Sequence, residues 1–485
     1  MKAKIFEKGQ ALILIVFGIV ALVALTGLAV DGSATYSNRQ SAQTSADAAA
    51  LAGALQLSLN KAGNASSAAT SVAQTDGFSN GANATVTVNN PPSTGCGGAT
   101  NPYIGNSEYI QVIINTDVPT TFAPVVGIRD LHNCVEAIAH GRSASSSSMY
   151  GGAAMVSTKP TGDQTFLLNG GATVRTHQSG VFVNSNGSKA LFMNGGAKLD
   201  LDSNAMIVGG YGYNGGATWK PGITTGVPQL TMPDPAWAKI PAPPTPPTCS
   251  GNGSINGTVL SPGNFTNITL NGGKNYTMNP GVYCISGSFN LNGSANLSGS
   301  TGTVSIVSNS NVTINGGDTL TFNDLEIYTT NGTWTLNGST TANLKKVRFY
   351  ATGSANWIVN GGSTFTSDDA YFYLHSGTII WNGSSTLNLH APPAGDPYAG
   401  LLIYMPWNTN TNYITMNGGS NIKITGTYLA PHCPMTFNGS LNASAVDSQI
   451  IASTFIVNGG TTVDVTYKAA DNWSPPQAAI VELAR

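Results

Sequence analysis

The chain has 485 residues, room for two or three domains, and a formal net charge of −2, which excludes the strongly basic surface that nucleic-acid binding requires. Charged residues make up only 9% of it, against about 25% in ordinary globular proteins, so Ser, Thr, Asn and Gly must wet the surface. Five cysteines are too few for a disulfide scaffold, and regular apolar alternation over much of the length argues against disorder.

Residues 11–30 form an apolar run broken by Thr26, preceded by Lys2, Lys4 and Lys8 and followed by Asp31. The run is long enough to cross a bilayer, and the lysines predict a cytoplasmic N-terminus with everything after Asp31 outside. A cleaved signal peptide is the alternative. The run exceeds the apolar core of such a peptide and lacks a small-x-small cleavage site, so a retained single-pass anchor is expected. Residues 33–59, rich in Ala, Gln and Ser and free of Pro, continue the helix outward. At 1.5 Å per residue, 11–59 would be a stalk about 73 Å long.

A resemblance rests on particular residues here: Lys8-Gly-Gln-Ala-Leu, Gly27-Leu-Ala-Val-Asp-Gly32, Tyr36, and Ala46-Asp-Ala-Ala-Ala-Leu-Ala-Gly-Ala54. Together they resemble the N-terminal segment of the TadE/TadG-like proteins of the tight-adherence (Flp) pilus machinery. Val118-Pro-Thr-Thr-Phe-Ala-Pro-Val-Val-Gly-Ile128 and Cys134-Val-Glu-Ala-Ile-Ala-His-Gly-Arg142 are similar to the end of the small outer domain in TadG-type members. The resemblance implies a membrane-anchored envelope or pilus-associated protein, with pilus-machinery proteins or further copies of itself as partners. After Gly9 the chain lacks the Glu that prepilin peptidase substrates carry five residues past cleavage, which argues against processing there and against a major pilin.

Alternating segments at 84–88 and 109–116, a short helix near 120–128 and a strand at 134–139 predict a small pilin-like α+β domain over 60–145. Ser143 to Ser148 reads as a linker. From 166 to 465 one phrase then recurs twelve times: an apolar residue, a spacer, an apolar residue, and Asn-Gly-Gly or Asn-Gly-Ser. Its Asn positions are Asn169, Asn194, Asn214, Asn271, Asn292, Asn315, Asn337, Asn360, Asn382, Asn417, Asn438 and Asn458, with most gaps 20 to 25 residues. Strand, tight turn, strand is the implied unit, Asn-Gly supplying the positive φ of the bend. Stacked coils of this length make a right-handed parallel β-helix, a solenoid. The alternative is a propeller of Asn-Gly hairpins, since Asn-Gly-Gly and Asn-Gly-Ser alternate strictly from Asn271 to Asn458. Segments 325–328, 347–350 and 370–373 repeat at one offset from their Asn residues and favour the solenoid. The expected layout is a mainly β chain: anchor and helix 1–59, α+β domain 60–145, first coils 146–227, Pro-rich crossover 228–248, main coils 249–470 and a tail 471–485. The twelve Asn side chains are expected to face inward as a hydrogen-bonded ladder.

Cysteine placement pairs Cys96 with Cys134 and Cys249 with Cys284, in an oxidising compartment, and leaves Cys433 as a buried thiol at inward parity. Solenoids often carry polysaccharide lyases and hydrolases, which need paired carboxylates. The register instead stacks Asp369 on Lys346 on Asp324, Asp368 on Lys345 and Glu326 on Arg348, a neutralised ladder. Six histidines lie without ligand spacing, so no metal, cofactor or catalytic group is expected. Tyr328, Tyr350 and Tyr373 share one outward column, with Tyr371 beside them. Such a strip could stack on sugar rings or simply stabilise the coil. About 13 residues are inserted between Asn382 and Asn417, including Trp407, in a loop of the kind that carries binding. The sequence thus implies a membrane-anchored surface solenoid with a structural, adhesive or polysaccharide-binding role. A carbohydrate-active enzyme on the same scaffold is the alternative.

Overall fold

The computed structural model of the chain describes residues 8–143, 145–146, 148–230, 238–419, 421–477 and 479–484. Lys2 and Lys4, Ala144 and Ser147 of the expected linker, and residues 231–237 of the expected crossover lie outside them. The chain divides into two compact units, one made of Met1–Ser146 with Pro476–Arg485, the other of Ser147–Pro475.

The first unit is built on one helix, α1 (Lys8–Ser58), of 51 residues. Its Ala-rich, Pro-free second half favours helix throughout. It stops in a Schellman turn: Asn60 takes a left-handed φ of 58°, and the N–H groups of Asn60 and Lys61 reach back to the carbonyls of Leu57 and Gln56. The second half is not a free stalk, a correction to the expectation. Ala42, Ala46, Ala49, Ala50, Ala54 and Leu57 are buried against an antiparallel sheet of β1 (Ala84–Asn89), β2 (Tyr109–Pro119) and β3 (Asp130–Arg142). Small residues permit close approach, for a Cβ at Gly141 would sit 2.2 Å from the Ala54 carbonyl oxygen. Such a face has little hydrophobic amplitude, which is why it reads as a solvated stalk. A second helix, α2 (Ala65–Thr75), is absent from the sequence-based expectation and packs Ala65, Ala69 and Ala73 into the same core. The expected tail is also corrected. Ile480–Leu483 forms the fourth strand of the sheet, antiparallel to β3, with Ala139 opposite Leu483. The solenoid is therefore an insertion: the chain leaves this unit after Ser145–Ser146 and returns at Pro476–Gln477, and these two short strands pair.

The second unit is a β-solenoid of about 13 turns. A typical coil has three strands, such as Phe289–Asn292, Asn296–Gly299 and Val304–Ser308. Each pairs in parallel with its counterpart in the next coil, Phe289 with Val312, Asn296 with Thr319 and Val304 with Leu325. Parallel pairing between copies rules out hairpin blades. Alternate side chains fill the interior, where the Trp357 and Phe372 rings stack at 4.0 Å and Trp381 is wholly buried. Each such burial contributes about 1.5–3 kcal/mol.

The coil order in space is not the order in sequence. Ile450, Phe455 and Thr462 of the last coil pair in parallel with Met155, Phe166 and Thr173 of the first. The early coils thus extend the stack beyond the late ones, and both open ends, Tyr211–Tyr213 with Ile223–Thr225 and Ser254–Asn256, fall in mid-sequence. The Pro-rich segment between them must travel the whole stack, about 50 Å for twelve rungs.

Candidate functional site

The tyrosine strip stands where the register predicts. Tyr328, Tyr350, Tyr373 and Tyr404 align on successive coils, on the outer side of the third strand. Its accessibility does not match the expectation of a binding surface. Tyr328, Tyr350 and Tyr373 are 5%, 4% and 8% exposed, Tyr371 is 0%, and Trp407 is 9%. Two segments cover them. The inserted loop at 391–400 lays Tyr398 on Tyr371 with ring centroids 4.0 Å apart. The Pro-rich segment then lies over that loop: the Tyr398 hydroxyl donates to the Ala242 carbonyl at 3.1 Å, and Trp473 Nε1 donates to Ala238 at 3.0 Å. Ala238 and Ile240 join Tyr328, Tyr350, Tyr371 and Trp473 in a second hydrophobic core outside the coil. The segment is held at other heights too, by Asn184, whose Oδ1 accepts from Leu230 N at 2.8 Å, and by the Cys249–Cys284 disulfide. Outward parity is therefore correct, and an exposed sugar platform is not. Burial raises the tyrosine hydroxyls, Tyr404 to about 12 and Tyr328, Tyr350 and Tyr371 further.

Arg348 locks the cover in place. It is 3% exposed, with Nη1 2.7 Å from Asp369 and Nη2 2.7 Å from Asp396, a residue of the inserted loop. The backbone register does set Lys346 beside Asp369 and Glu326 beside Arg348. The Lys346–Asp324 rung forms as expected, at 3.1 Å, whereas Asp369 turns to Arg348 and Glu326 to neighbouring hydroxyls, a correction to the rest of the expected ladder. Glu326 accepts from the hydroxyls of Tyr328 and Ser305. Asp368 and Lys345 are both exposed and no ion pair joins them. Arginine wins the buried position because its planar fork serves two carboxylates at once. Among the described residues, no group of three or more His, Cys, Asp or Glu could hold a metal. Cys96 is bonded to Cys134, and Cys433 is a buried thiol that burial pushes up to about 12.

The turn asparagines form a continuous ladder. Each Nδ2 donates to the Oδ1 of the preceding rung at 2.7–3.0 Å, from Asn271 through Asn292, Asn315, Asn337, Asn360, Asn382, Asn417, Asn438 and Asn458 to Asn169. The ladder crosses from the last coil in sequence to the first without a break. It runs along a half-buried corner and not inside the core. The positive φ falls on the glycine after each Asn, between 57° and 86°, which leaves the Asn side chain free to reach its neighbour. Asn194 and Asn214 extend the row, and there the contact changes, Gly195 N donating to Asn214 Oδ1 at 3.3 Å.

A groove of about 760 Å³ opens where early and late coils meet, lined by Thr158, Lys159, Asn184, His432 and Thr454. No sequence signal marks it, because its walls come from coils far apart in the chain. In the first unit, residues 12–30 of α1 are apolar apart from Thr26 and exposed apart from Gly27, which is covered by Phe122. The helix is long and apolar enough to cross a membrane. Beside it, the Asp31 carboxylate accepts from the backbone N–H groups of Thr121, Phe122 and Ala123 at 2.7, 3.0 and 2.8 Å.

These features define a mainly β protein that joins a helix fit for a single-pass membrane anchor to a β-solenoid. A family model described as putative Flp pilus-assembly TadE/G-like matches residues 9–56, so the long helix carries a Tad-type domain. Neither curated proteins nor solved structures gave a match.

Proposed function

We propose that this chain is a cell-envelope protein of the Tad/Flp pilus-associated type, anchored by α1, that displays its solenoid outside the cytoplasmic membrane in an adhesive or structural role. The observation that supports this reading most is the insertion topology. The Tad-type helix and the closing strand Ile480–Leu483 belong to one small unit, and the whole solenoid is carried between them. The low charge and the long hydrogen-bonded ladder suit a durable surface module. Any surface polysaccharide is taken up away from the sealed tyrosines, and the groove of Lys159, Asn184 and His432 is the candidate seat.

Protease treatment of intact spheroplasts tests the display, followed by adherence and pilus assays in cells lacking the chain. Expected are solenoid fragments released from outside and weaker adherence or fewer pili without the protein. A solenoid cut only after lysis overturns the display. Soluble products from a polysaccharide panel would replace the adhesive reading with a carbohydrate-active one.

A further inference from the structure

The segment between β2 and β3 carries apolar side chains where a soluble loop would carry polar ones. Val125 is 91% exposed, Ile128 46% and Phe122 40%. The segment lies along the apolar part of α1, and a Cβ at Gly27 would sit 2.6 Å from the Cβ of Phe122. Between the two runs a groove of about 630 Å³ whose walls include Val20, Val23, Gly27, Phe122, Val125 and Ile128. Val20 precedes Asp31 by eleven residues, about 16 Å of helix, comparable to one leaflet of a hydrocarbon core about 30 Å thick.

Irregular backbone survives at membrane depth only when its polar groups are satisfied within the protein. Seven of the eight N–H groups of residues 120–128 have a partner within the protein. Thr121, Phe122 and Ala123 donate to Asp31, and Pro124 has no N–H to satisfy. Val125, Gly127 and Ile128 donate to the carbonyls of Phe122, Pro124 and Ala123, while Thr120 donates through both N–H and Oγ1 to Arg129. A carboxylate at the end of the apolar run thus collects three amides that would otherwise need water, and backbone carbonyls of the turn and of Arg129 take four more.

The geometry points to a membrane-inserted hook: residues 120–128 lie within the leaflet at the Asp31 end of α1, with Phe122, Val125 and Ile128 among its acyl chains. The occupant of the groove is lipid, because one wall of it is the apolar helix itself and the groove is continuous with that helix's exposed surface. Asp31 is a positioning residue that fixes the depth of the hook. The inference rests on the anchor reading of α1.

The test uses the full chain in phosphatidylcholine–phosphatidylglycerol vesicles, with a bimane placed by Val125→Cys, Leu22→Cys or Ser66→Cys. The unsubstituted protein, with Cys433 buried, sets the background. Expected is that the probes at 125 and 22 lose roughly half their emission to brominated acyl chains and little to aqueous iodide, while the probe at 66 on α2 behaves oppositely. Val125 open to iodide with Leu22 protected overturns the hook and leaves the anchor standing. Both open to iodide overturns the anchor as well. Val125 shielded from lipid and water alike overturns lipid as the occupant and points to a second copy of the chain. Adding Asp31→Ala should turn the Val125 probe toward iodide, with Asp31→Asn intermediate, and an unchanged lipid signal would remove Asp31 from the account.

Discussion

The solenoid has two cores that obey different rules. The inner core is built by repetition: Trp381 packs edge-on to Trp357 and to Tyr428, and contacts of this kind lie within one coil or join neighbouring ones. The outer core is built by return, because Tyr350 and Tyr371 are covered by Tyr398 from an insertion and by a Pro-rich segment from elsewhere in the chain. A repeat protein is usually a sum of local terms. Here one face escapes that rule, since its burial depends on a single strap spanning many coils.

Substitutions can separate the two. Trp381→Ala should cost about 3–5 kcal/mol, read as a fall in the denaturation midpoint of the whole solenoid. Arg348→Ala leaves Asp369 and Asp396 without their shared cation, and both carboxylates are one-fifth exposed, so about 2–4 kcal/mol is expected. Its signature should be local, with proteolysis inside 391–400 rising before the coils melt. Simultaneous loss of loop and coils would show that the cores are one.

Alkali should attack the outer core next. Unfolded tyrosines lose their protons near pH 10, whereas Tyr404 holds its proton to about 12 and Tyr328 and Tyr350 hold theirs longer. Above pH 10 the unfolded chain binds fewer protons than the folded one, so stability falls as pH rises, by about 1.4 kcal/mol per unit for each tyrosine. Ultraviolet titration alongside circular dichroism checks whether ionisation and unfolding coincide. Free ionisation of all strip tyrosines without unfolding would contradict the seal.

Smaller effects sharpen the contrast. Asn337→Ala removes two rungs of the ladder and should cost about 1–3 kcal/mol. Asn194→Ala, at an exposed position beyond the ladder, should fall within about 0.5 kcal/mol. Equal midpoints for the two would leave the ladder without energetic weight. The smallest change is Tyr371→Phe: its buried hydroxyl finds no hydrogen-bond partner among the described residues, so removing it should stabilise by up to about 1 kcal/mol.

What the sequence disclosed follows the same division. Twelve Asn-Gly turns at near-constant spacing specify coils, rung register and side-chain parity, since all of these are nearest-neighbour properties. The apolar run before Asp31 and the resemblance at residues 9–56 are also local. The strap over the tyrosines, the join between Phe455 and Phe166 and the closing strand Ile480–Leu483 are single long-range pairings. They repeat nowhere, and hydrophobic periodicity carries no trace of them. The alanine face of α1 escaped for another reason: side chains that small bury well but barely register as amphipathic.

Because the first and last coils adjoin, both open ends of the stack are strands in mid-sequence, far along the chain from the segments that join the solenoid to the first unit. Length is therefore adjustable without disturbing attachment. Duplicating one coil at either end would lengthen the stack by about 4.8 Å and demand only about two further strap residues, at roughly 3.1 Å each. The stack can therefore gain or lose length one repeat at a time, at ends remote in sequence from its junctions with the first unit.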